Sequence, residues 1–171
     1  MAKRRVKTVD AVMLAIERER GARALYLEAA GLASDPDGRR MFNWLAGEEY
    51  RHMAALKLQL DSLLANNKWL APGSVISPVE RAEFPPASEA IYTHSVDTDE
   101  EGILLQAMES EEESILFYKE AEESTPDLGG KSMFRLLSEE ERGHLALLQG
   151  ELEWVTRYRK YFGLPRFAPP S

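Results

Sequence analysis

Apolar side chains recur every three or four residues from about Thr8 to Ala33, with Val12, Ala15, Ile16, Leu25 and Ala29 on one stripe and Gly21 as its weak position. This spacing predicts a helix. Ser34-Asp35-Pro36-Asp37-Gly38 reads as a turn in which Asp35 caps a second helix, opened by Pro36 and running to about Asn66. From Asn67 to Asp97 the helical period is lost and Pro72, Pro78, Pro85 and Pro86 accumulate, which predicts a long crossover over 67–97. The period returns from about Asp99 to Ser124, with Asp97 or Asp99 as cap, and again from about Gly130 to Tyr161, with a turn near Asp127 between them. Gly163, Pro165, Pro169 and Pro170 end the last helix and leave a tail over 162–171. The pattern predicts an all-α fold of two helical hairpins joined by one crossover, in a single domain over 1–171.

The two hairpins are copies of each other. Residues 8–60 laid on 100–152, at a constant offset of 92, give 17 identities in 53 positions. Average residue usage gives about three, so the match marks an internal duplication. Met41 pairs with Met133, Phe42 with Phe134 and Leu45 with Leu137, as a shared core requires. Glu19 also pairs with Glu111, Tyr26 with Tyr118, Glu49 with Glu141 and His52 with His144. Core packing alone does not call for Glu and His at matched positions on buried faces.

Those polar matches have a chemical pattern. Glu49 with His52, and Glu141 with His144, each form Glu-x-x-His, which on a helix aims a carboxylate and an imidazole at one point. Glu19 lies 16 residues before Asp35, while Glu49 and His52 lie 14 and 17 after it. At 1.5 Å per residue both groups sit about 24 Å from the turn, so antiparallel packing levels them. The constant offset carries the same arithmetic to the second hairpin. Glu19, Glu49, His52, Glu111, Glu141 and His144 are therefore the candidate metal ligands. One Glu from each of two helices and Glu-x-x-His from each of the other two is the ligand pattern of ferritin-like di-iron and di-manganese bundles, in which a long crossover also occurs. Four carboxylates balance two divalent cations, which makes burial of the set intelligible only with cations present. Iron or manganese gives such a site redox chemistry, and zinc fills it without any. Tyr26 and Tyr118, seven residues after Glu19 and Glu111, either hydrogen-bond the ligating carboxylates or are core aromatics with satisfied hydroxyls. Glu109, Glu112 and Glu113 read as a solvated face, and His94 as a solvated loop residue.

Composition narrows the classes. The chain has no cysteine, which removes disulfides, thiolate metal sites and thiol catalysis. A net charge of −8 argues against nucleic-acid partners, and Lys3-Arg4-Arg5 with Lys7 reads as a solvated terminus. Without an 18-residue apolar run or a signal-type start, a soluble, cytoplasmic protein with no membrane partner is expected.

The stretches Ala15-Ile16-Glu17-Arg18-Glu19 leading to Tyr26, Ala107-Met108-Glu109-Ser110-Glu111 leading to Tyr118, and the two Glu-Glu-x-x-His segments resemble the di-iron domain of rubrerythrins over roughly residues 8–160. The resemblance implies a ferritin-like four-helix bundle, two iron ions held by the six residues above, and reduction of hydrogen peroxide. The sequence departs from that family twice. It lacks the four-cysteine rubredoxin site, so a separate electron donor such as a rubredoxin is expected. It also has Ser114 where the family carries an extra ligand glutamate. An iron-handling ferroxidase using oxygen, and a helical interaction module with a vestigial or zinc-filled site, are the competing functions. A homodimer is the expected assembly, and the crossover permits exchange of hairpins between protomers.

Overall fold

The computed structural model describes residues 2–33, 36–76 and 100–159, with side chains over 7–33, 36–76 and 100–157. Four long helices form two hairpins: α1 (Ala2–Leu32) with α2 (Pro36–Asn66), and α4 (Glu100–Ser124) with α5 (Leu128–Glu153). A one-turn helix α3 (Pro72–Val75) follows the end of α2, and the chain after α5 widens into a π-type turn over Trp154–Arg159. Among the described residues there is no strand. Each hairpin packs mainly on itself, and the two meet chiefly through α1 and α4. The expected caps Asp35, Asp97 and Asp99, the side chains of Lys3, Arg4 and Arg5, the crossover from residue 77 with His94, and the tail lie outside the described residues.

The observed bounds differ from the expected ones for physical reasons. α1 starts at Ala2 and not near Thr8, because Ala, Lys and Arg are good helix formers that carry no apolar period. α5 starts at Leu128 and not at Gly130, because the Asp127 carboxylate accepts from the Gly129 and Gly130 amides and so fixes the first turn. α3 places one helical turn inside the stretch expected to be irregular, with Pro72 at its start.

The core divides into two apolar clusters. One joins Ala22, Tyr26, Ala29, Phe42, Leu45, Leu104, Ala107 and Leu148. The other joins Val12, Ala15, Ala55, Leu56, Tyr118, Phe134 and Leu137. Along every long helix the candidate ligands fall between the residues of the first cluster and those of the second. A polar layer is thus closed above and below by side chains that exclude water.

Candidate metal centre

Each hairpin sets one half of the layer. In α1 Glu19 is 1% exposed, and in α4 Glu111 is 2% exposed, while Glu109, Glu112 and Glu113 face solvent. The helical period explains the selection, since Glu111 shares its buried face with Ala107 and Tyr118. Glu49 and His52 come from α2 and Glu141 and His144 from α5, all buried.

The six side chains converge on two points. Around His52 Nδ1 lie Glu19 Oε2 at 3.2 Å, Glu49 Oε2 at 3.5 Å and Glu141 Oε1 at 3.4 Å. Around His144 Nδ1 lie Glu49 Oε1 at 3.0 Å, Glu141 Oε2 at 2.9 Å and Glu111 Oε1 at 3.7 Å. Glu49 and Glu141 therefore turn one oxygen to each point. The donor atoms of Glu19, Glu49, His52 and Glu141 all lie within 4.8 Å of one another, as do those of Glu49, Glu111, Glu141 and His144. The two imidazoles stack with centroids 5.6 Å apart and planes 17° apart.

The hydroxyl of Tyr26 donates to Glu111 and that of Tyr118 to Glu19, so each tyrosine crosses to the other hairpin. Both are fully buried and stack on the matched phenylalanines, Tyr26 on Phe42 at 6.3 Å and Tyr118 on Phe134 at 6.1 Å. Burial beside the carboxylates pushes both hydroxyls well above their ordinary range, so they stay protonated donors.

The electrostatics fit a cation site. Burial, with repulsion from Glu141 and Glu49, raises the Glu19 carboxyl well above its ordinary value, and burial raises Glu111 to about 8. At Glu49 the same burial is outweighed by the adjacent Glu19, His144 and His52, and at Glu141 by the two imidazoles, so both stay ionised. Burial opposes charge on His52 and His144, but the surrounding carboxylates overcome it and raise both. Without cations the site must hold protons to remain near neutral. Even so, Glu49 Oε1, both Glu141 oxygens and His144 Nδ1 are buried in ion-pair contacts none of which has hydrogen-bond geometry. Buried charge paired without good hydrogen-bond geometry is costly, and two divalent ions would satisfy these atoms at once. The oxygen and nitrogen donor set fits iron or manganese.

A family model described as Rubrerythrin matches residues 10–152. The chain belongs to the rubrerythrin family. No curated protein matches it. Among solved structures, the hypothetical protein Pfu-1136390-001 from Pyrococcus furiosus is similar, with a TM-score of 0.67 and 25% identity over 90% of this chain and 93% of that one. As a rubrerythrin-family protein the chain has a ferritin-like helical bundle, and its buried Glu/His cluster is compatible with the di-metal site of such bundles.

One contact escapes the sequence reading of this rubrerythrin relative. Glu140, next to Glu141, crosses to α2 and meets His52 Nε2 at 2.5 Å, leaving Nδ1 facing the carboxylates. Periodicity places Glu140 on a half-exposed face, where it looks like a solvating charge. The signal available was the duplication, since Glu140 and Glu48 are an identical pair. None of the described helices is long and apolar enough to cross a membrane.

Proposed function

We propose that the protein is a non-haem di-iron oxidoreductase that reduces hydrogen peroxide to water with electrons from a separate donor. The observation that supports this best is the shared position of Glu49 and Glu141, each turning one oxygen to each of two histidine-marked points. Glu19, Glu49, His52 and Glu141 would hold one ion, and Glu49, Glu111, Glu141 and His144 the other. Two irons held there would supply one electron each, the two that cleavage of the O–O bond requires, with two protons completing two waters.

The protein's own part is placement and sealing. Tyr26 and Tyr118 hold Glu111 and Glu19 by donated hydrogen bonds, which fixes the direction of both carboxylates. Phe42, Leu45 and Leu104 on one side, with Leu56, Phe134 and Leu137 on the other, keep the layer dry. The 171 residues contain no cysteine, so the electrons arrive from a donor outside them, such as a rubredoxin.

Ser114 supports a second reading. It is buried beside Glu111 on α4, and a hydroxymethyl group there replaces the additional carboxylate expected from the family. With fewer carboxylates to rearrange, oxygen-driven oxidation of Fe(II) and release of the product compete with peroxide reduction. Single-turnover oxidation of the di-ferrous protein at matched oxidant concentrations tests the choice. Peroxide is expected to oxidise the site faster than oxygen, with iron retained and no second turnover until donor is added. Oxidation by oxygen as fast as by peroxide, followed by loss of ferric iron, contradicts the peroxidase reading. A Ser114→Glu variant is expected to widen the preference for peroxide.

A further inference from the structure

The two metal positions use the same kinds of ligand, but what stands behind their histidines differs, and the duplication shows why. His52 and His144 are repeat partners, and each turns Nδ1 inward. Behind His52 stands Glu140, 2.5 Å from Nε2 and contributed by the opposite hairpin. The repeat partner of Glu140 is Glu48, which precedes Glu49 as Glu140 precedes Glu141. The Tyr26–Glu111 and Tyr118–Glu19 bonds exchange under the repeat, and the same exchange applied to Glu140 behind His52 would put Glu48 behind His144. The Glu48 side chain goes elsewhere. Arg51 holds it side-on through one guanidinium edge, with Nε 3.2 Å from Oε1 and Nη2 on Oε2.

Arg51 has no counterpart in the second hairpin. Its repeat partner is Gly143, so nothing at that place draws Glu140 from His52. Arg51 also pairs with Glu140 across the hairpin interface, its Nη2 3.5 Å from the same Oε2 that meets His52, but it does not draw that carboxylate off the imidazole. His144 meets instead the edge of Trp44, with centroids 5.9 Å apart and planes at 83°, where the repeat partner of Trp44 is Leu136. Among the described residues, the carboxylate contacts of His144 all run through Nδ1.

We propose that Arg51 makes the two metal positions unequal by holding Glu48 away from His144. This inference rests on the di-metal reading. A carboxylate behind an imidazole fixes the tautomer that leaves the inner nitrogen free to bind and strengthens it as a donor. Among the described residues, His52 has this support and His144 lacks it. The ion held by Glu19, Glu49, His52 and Glu141 is therefore the resident one, and the ion beside Glu111 and His144 is the exchangeable one. Arg51 acts as a positioning residue, through Glu48, on a metal position it does not touch.

Cobalt(II) titration of the metal-free full chain tests this, with calorimetry for affinity and visible absorption for the ligand environment. Two steps are expected, separated by about tenfold or more in Kd. His52→Ala removes the tighter step and His144→Ala the weaker one. In Arg51→Gln the released Glu48 tightens the weaker step by about tenfold and narrows the separation. Adding Glu48→Gln to Arg51→Gln restores it, which a merely structural role for Arg51 does not predict. Glu140→Gln weakens the tighter step alone. Equal steps in the parent chain, or a separation unchanged by Arg51→Gln, overturn the proposal. Fewer than two cobalt ions per chain instead contradict the di-metal reading itself.

Discussion

Glu19 and Glu111 carry the pH behaviour of the metal-free protein. Both carboxyls are raised by burial, Glu111 from 4.5 to about 8. A group raised in the folded state stabilises fully below its unfolded value, and that stability is lost as pH climbs through the folded one. For Glu111 the window runs from 4.5 to about 8. His52 and His144 act in the same sense, losing their contribution as pH rises above the ordinary 6.5. Glu49, Glu140 and Glu141 are lowered, so their contribution is lost only on acidification below 4.5. The melting temperature of metal-free protein should therefore fall between about pH 5 and pH 8. Divalent metal displaces these same protons, so its stabilising effect should grow over that range. Scanning calorimetry at several pH values checks both, and a metal-free melting point that rises with pH contradicts the charge assignment. The six ligand candidates were legible because the repeat matched them at one height. The aims of Glu140 and Arg51 were not, since which neighbour a half-buried charge reaches is decided across the hairpin interface.

At the scale of elements, the start of α5 is locked by the residues that follow α2. Asn67 takes a left-handed conformation, φ 53, and turns the chain back. Buried Gln59 then clamps Leu70, accepting from its amide at 2.8 Å and donating to its carbonyl at 2.9 Å. This sets Trp69 edge-on to Phe134 at 5.6 Å and against the first turn of α5. A Cβ on Gly130 would lie 2.6 Å from Trp69 Cε2. Gly130→Ala should cost about 1–3 kcal/mol by overpacking, and Asp127→Ala about 1 kcal/mol by loss of the cap, both measurable by denaturant unfolding. An unchanged midpoint in Gly130→Ala would show that Trp69 does not hold this turn. The turn near Asp127 could be read from the sequence, but the docking of Trp69 could not, because a tryptophan among prolines gives no periodic sign of its partner.

For the whole molecule, the duplication explains both the fold and the site. Two copies of one hairpin, related by a two-fold, bring two sets of Glu, Glu and His face to face, and neither hairpin alone completes either cluster. The hairpin arithmetic placed this layer from sequence, because helix rise is fixed by backbone geometry. Assembly of the site should then be coupled to stability. Metal at about 100 times its Kd adds roughly 2.7 kcal/mol, so melting should rise by about 5–10 °C. The central claim is that Glu49 and Glu141 each serve two metal ions. Anomalous diffraction at the iron edge from crystals loaded anaerobically with Fe(II) tests it most directly. The account predicts two peaks about 3.5–4 Å apart, both in contact with Glu49 and Glu141, one beside His52 and the other beside His144. A single peak, or two peaks that do not share these carboxylates, would contradict it.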